Sequence, residues 1–91
     1  MNHLTQREAD LARSALDFLH SLEGAQVSEL QVHAAILRDV AVIPKPSASE
    51  VESIVKSMDA RQWIVGTPGF ASGKMKWSIS DAGEAARLRL N

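Results

Sequence analysis

The chain has 91 residues, a formal net charge of −1 at neutral pH, 45% apolar residues and no cysteine. This length fits one domain around one core. Lack of cysteine excludes a disulfide framework, a thiolate metal site and a cysteine nucleophile, and the near-neutral charge argues against strong non-specific attraction to nucleic acid.

The charge is unevenly spread. Residues 1–43 hold six acids against three bases (net −3), and residues 44–76 hold three acids against five bases (net +2). An anionic partner would therefore favour the middle segment. The opening residues lack the basic region and apolar run of a secretory signal, and no apolar stretch reaches the roughly 20 residues of a membrane span. A cytoplasmic location without membrane contact is the expectation.

A first helix begins after Thr5, which with Glu8 forms a capping box, and Leu4 takes the staple position before it. Leu11, Ala12, Ala15, Leu16, Leu19 and Leu22 make its apolar face, with Arg7, Asp10, Arg13 and Asp17 on the other. Gly24 supplies a left-handed stop. Residues 25–27 form an extended connector or a single edge strand. Ser28 and Gln31 repeat the capping box for a shorter helix ending near Arg38 or Asp39, with Leu30, Ala34, Ile36 and Leu37 as its apolar positions.

Val40 to Ile43 reads as a loop closed by Pro44 and Pro46. Ser47 and Ser49 both offer caps for a third helix, and Ser49 with Glu52 gives a third capping box. Val51, Ile54, Val55 and Met58 then line one face to about Ala60. From Trp63 the period becomes two. Trp63 and Val65 alternate with Ile64, turn residues follow at 67–69 and 72–73, and Met75, Trp77 and Ile79 alternate with Lys74, Lys76 and Ser78, giving a β-hairpin. Ser80 or Asp81 caps a last helix with Ala82, Ala85, Ala86, Leu88 and Leu90 apolar and Arg87 and Arg89 near its negative end.

This order carries a resemblance. Residues 51–58 followed by Asp59-Ala-Arg-Gln-Trp-Ile64 resemble the third helix and following strand of bacterial winged-helix transcription regulators. The run Lys76-Trp-Ser-Ile-Ser-Asp-Ala-Gly83 looks like the second wing strand of such proteins opening into the next helix. Two positions depart from the pattern: Gln62 stands where relatives often have Gly, and the connection from about Asp39 to Ser47 is longer than a tight helix-turn-helix turn. The resemblance implies an α+β, mainly α, winged-helix fold over residues 1–91: a three-helix core, a C-terminal hairpin wing and a final short helix.

In such a fold the third helix enters the major groove and the wing touches phosphates. The resemblance thus nominates Lys45, Ser49, Ser53, Lys56, Ser57, Arg61, Phe70, Lys74 and Lys76 as DNA-contacting residues. Each has a plainer reading. Glu52 precedes Lys56 by four residues, the order of an intrahelical ion pair. Glu50 either accepts from a cytosine amino group or is a first-turn acid suited to the helix dipole. Lys74 and Lys76 either track phosphates or guard a sheet edge. Phe70 is a contact residue or a plug folded onto the hairpin, and Trp63 and Trp77 read as core before stacking platforms.

His3, His20 and His33 lack the spacing of a metal site. No nucleophile motif or phosphate-cradling loop occurs, so neither a metal, a cofactor nor an enzymatic activity is expected. The resulting expectation is a transcription regulator binding double-stranded DNA as a homodimer built on the first and last helices. The alternative is a winged helix that docks a protein partner through its acidic first half and the Val40–Ile43 run.

Overall fold

A computed structural model describes residues 3–69 and 74–91. Among these, four helices and a three-stranded antiparallel sheet follow in the order α1 (Gln6–Ser21), β1 (Val27–Ser28), α2 (Glu29–Arg38), α3 (Ala48–Ala60), β2 (Ile64–Pro68), β3 (Met75–Ile79) and α4 (Asp81–Leu90). The fold is α+β and mainly helical. None of these helices is long and apolar enough to cross a membrane.

Side-chain caps set the helix starts. Thr5 and Glu8 form the expected capping box of α1, and Ser28 and Gln31 that of α2. Ser80 caps α4 by accepting from the Gly83 N–H at 3.0 Å. The third helix differs. Its cap is Ser47, whose Oγ accepts from the Glu50 N–H at 3.2 Å, so Ser49 lies inside the first turn and forms no capping box with Glu52. At the end of α1 the left-handed region is occupied by Glu23 (φ 54) as well as Gly24 (φ 89).

The end of α3 explains the unusual residue before Trp63. The Trp63 N–H donates to the Met58 carbonyl at 2.9 Å and the Gln62 N–H to the Asp59 carbonyl at 2.9 Å. This is the Schellman pattern, whose penultimate residue must be left-handed. Gln62 has φ 62, so it holds a conformation that glycine adopts with less strain.

Strand order is β1-β3-β2, with β3 central. Val27 pairs with Trp77 and Ser28 with Lys76 on one side; Ile64 pairs with Ile79, Gly66 with Trp77 and Thr67 with Lys76 on the other. Directly opposed residues share a face. Ile64, Ile79, Trp77 and Val27 therefore point at the helices, and Val65, Ser78, Thr67 and Lys76 point away. The alternation of β3 is the expected one, whereas that of β2 is shifted by one residue from the sequence expectation. Trp63 is buried as the end of the helix cap and not as a strand residue, and Val65 is 50% exposed. At Gly66 a Cβ would come 2.7 Å from Trp77 Cζ3, so the indole can lie across the strand only over a glycine.

One apolar cluster joins all the helices and the sheet: Leu11, Ala12, Ala15, Leu16 and Leu19 of α1, Val51, Ile54, Val55 and Met58 of α3, with Val32, Ile36, Val42, Ile64, Trp77 and Ala86. Two expectations fail here. The inward face of α2 is Val32 and Ile36, while Leu30 is 77% and Leu37 42% exposed. The cause is that Ser28 belongs to β1 and also caps α2, so the inward direction of Val27 fixes how the helix is rotated. The Val40–Ile43 run is a loop, as expected, but not one contact surface: Val42 is fully buried, whereas Val40 and Ile43 are 86% and 80% exposed.

Candidate nucleic-acid interface

The buried residues of α3 lie at i, i+3, i+4 and i+7 (Val51, Ile54, Val55, Met58), which turns Ser49, Glu52, Ser53, Lys56 and Ala60 outward. This outward face is exposed along the whole helix. It is small and polar, and its one base is paired: Lys56 Nζ lies 3.0 Å from Glu52 Oε1.

Glu50 points elsewhere. Its carboxylate takes a two-pronged hydrogen bond from Arg7 of α1, Nε to Oε2 at 2.7 Å and Nη2 to Oε1 at 3.0 Å. That contact holds the Glu50 carboxyl below the ordinary carboxylate range and raises the Arg7 guanidinium. Glu50 is thus the first-turn acid of α3, as its position suggests, and its carboxylate also fastens α3 to α1. Arg7, assigned by the sequence to a solvent face, is its missing partner.

Arg61 also turns toward α1. Its guanidinium carbon sits 5.3 Å from the centre of the Trp63 ring, a cation–π distance. Its Nε donates to Ser57 Oγ at 3.4 Å, and its charge helps lower the carboxyl of Glu8, which the Thr5 backbone N–H lowers most. Ser57, half-buried, is therefore part of this contact and not of the outward face. Lys45 is committed as well, since its Nζ donates to the Asp39 carbonyl at 2.5 Å.

The remaining lysines lie on and beside β3. Lys76 is on the outer sheet face between Ser28 and Thr67, and Lys74 stands immediately before the strand, on the rim of a cleft. That cleft, about 660 Å³ and open-sided, lies between the first turns of α2 and α3 and the start of β3. Ser49, Ser53 and Lys56 are thus brought onto one face with Lys74 near its N-terminal end, while Lys45, Ser57 and Arg61 are drawn away. Phe70 lies outside the described residues.

The histidines have local partners: His20 Nδ1 is 2.7 Å from Glu84 Oε1, and His33 Nε2 is 3.1 Å from the Pro46 carbonyl. Of the faces that suggested a homodimer, that of α1 is occupied within the chain, whereas Ala82, Ala85 and Leu88 of α4 are exposed. The inward residues of α1 fill the core, Gly83 and Ala86 of α4 are buried, and Arg87 Nη1 reaches Asp17 at 3.4 Å across the two helices. No family model and no curated protein matches the chain.

Proposed function

We infer that the chain is a winged-helix domain that binds duplex DNA weakly through α3 and the β2–β3 hairpin. The observation that carries this reading is the outward face of α3, exposed from Ser49 to Ala60 and built of side chains small enough to enter a groove. Its support on the hairpin side is Lys74 and Lys76. The order of elements, with β1 closing onto β3 beside the hairpin, is the order expected of a winged helix.

Few cations face outward, so the electrostatic share of binding is small. With Lys56, Lys74 and Lys76 as phosphate contacts, the log–log slope of affinity against salt is roughly −2 to −3, at about −0.9 per contact. Replacing Lys74 and Lys76 together by alanine removes most of that slope, whereas Arg61→Ala leaves it nearly unchanged. A fluorescence-anisotropy titration of a mixed-sequence duplex measures both. Absence of binding at about 50 mM salt overturns the DNA reading.

A further inference from the structure

Two long side chains on the outward face of α3, Glu52 and Lys56, are joined to each other: Glu52 Oε1 lies 3.0 Å from Lys56 Nζ, and both remain open to solvent. Ser49, Ser53 and Ala60 beside them are short, so the pair stands above its surroundings. On a face turned toward duplex DNA an acid is a handicap. Phosphates repel it, and an ionised carboxylate can only accept hydrogen bonds. The donors that base edges offer it in the major groove are the amino groups of cytosine and adenine.

The two kinds of base pair are not equivalent hosts. In a C·G pair the cytosine amino group and the guanine carbonyl oxygen lie side by side, hydrogen-bonded to each other at about 2.9 Å. That spacing matches the 3.0 Å between the Glu52 oxygen and the Lys56 nitrogen. The carboxylate can accept from the amino group while the ammonium donates to the carbonyl, and the ring nitrogen of guanine gives the ammonium a second acceptor. An A·T pair offers the same amino–carbonyl spacing in the wrong surroundings. The adenine ring nitrogen, an acceptor beside the amino group, faces the carboxylate, and the thymine methyl crowds the ammonium.

Building on the duplex-binding reading of α3, on which it rests, we propose that the Glu52–Lys56 pair reads one C·G base pair, Glu52 on the cytosine and Lys56 on the guanine. The preferred duplex then carries a fixed C·G pair beneath the middle of α3. The two side chains act as a unit because each already holds the other, so less conformational freedom is lost when they meet the base edges. With Lys56 over a base, the two wing lysines set the salt dependence, at a log–log slope of about −2.

Selection of bound duplexes from a random-sequence library, read by sequencing, tests it. The pool retained by the native chain is expected to show one position fixed as C·G, and exchanging that pair for A·T should weaken binding about tenfold or more in anisotropy titrations. Glu52→Gln should move the position to A·T, because a carboxamide both accepts from and donates to the adenine edge. Glu52→Ala should lose the preference there. Far-UV circular dichroism of both variants should match that of the native chain, because Glu52 lies outside the core. A native pool that is bound but enriched at no position overturns the proposal and leaves the DNA reading standing. So does a preference that survives unchanged in Glu52→Ala. Absence of any bound duplex removes the DNA reading and the proposal with it.

Discussion

Replacing Gly83 by alanine sets two physical effects of opposite sign against each other. In an open helix the change stabilises by nearly 1 kcal/mol, because alanine is the better helix former. Here the added Cβ would fall well inside contact distance of the Trp63 carbonyl oxygen, 2.9 Å from Ile79 Cγ1 and 3.0 Å from the Trp63 carbonyl carbon. The carbonyl cannot easily yield. It accepts the Ser80 N–H at 3.1 Å, and Trp63 itself closes the end of α3 through its own N–H. Relief therefore requires α4 to move away from the sheet. Overpacking of this kind costs about 1–3 kcal/mol and a weakened Ser80–Trp63 bond about 1 kcal/mol more, so the net loss after the propensity gain is about 2 kcal/mol. For a domain of this size that lowers the melting temperature by roughly 10 °C. Urea unfolding followed by the emission of Trp63 and Trp77 measures the change directly. Equal or greater stability of Gly83→Ala would show that propensity governs the site and that the close approach to Trp63 is unimportant.

Gln62→Gly should act in the other direction. It relieves a left-handed side-chain residue while loosening the unfolded chain, for a net gain of about 0.5 kcal/mol in the same unfolding assay; a loss would mean that the Gln62 side chain contributes more than its backbone strain. Glu50→Gln should flatten the acid limb of the stability curve. The folded carboxyl is held low chiefly by Arg7, so its stabilisation is fully present above the unfolded value of about 4.3 and is lost as pH falls through the lower folded value. The difference between native and Glu50→Gln chains should shrink as pH falls below about 5, and a constant difference would assign the effect to packing.

Helix beginnings were legible wherever the signal is local. Thr5 with Glu8, and Ser28 with Gln31, satisfy their own first turns from within four residues, and tertiary packing had no need to override them. The same logic left both Ser47 and Ser49 as caps and added a Ser49–Glu52 capping box that does not form. The reason lies elsewhere in the fold: Glu50, three residues after Ser47, is bound by Arg7, and no short-range pattern connects positions 43 residues apart. The face of α2 was read correctly at Ile36 but not at Leu30 and Leu37, because Leu30, Ala34 and Leu37 also make a good helical stripe. Only the strand pairing of Val27 decides that Val32 and Ile36 turn inward. Within the candidate interface, the outward positions of Ser53 and Lys56 followed from helical period alone, but the same period also turned Glu50 and Ser57 outward, where the structure binds them to Arg7 and Arg61. The withdrawal of Lys45 and Arg61 did not, since it depends on the Asp39 carbonyl and the Trp63 ring.

The two-residue strand β1 has a bearing on how the chain opens. Its pairing with β3 closes a loop of roughly fifty residues, whereas the β2–β3 hairpin closes locally, so the hairpin's amides can become protected before β1 docks. Ser28 is at once the last residue of β1 and the cap of α2. Fraying of this short edge therefore releases the start of a helix together with the strand, making residues 27–31 a single unit of local unfolding within a better protected frame.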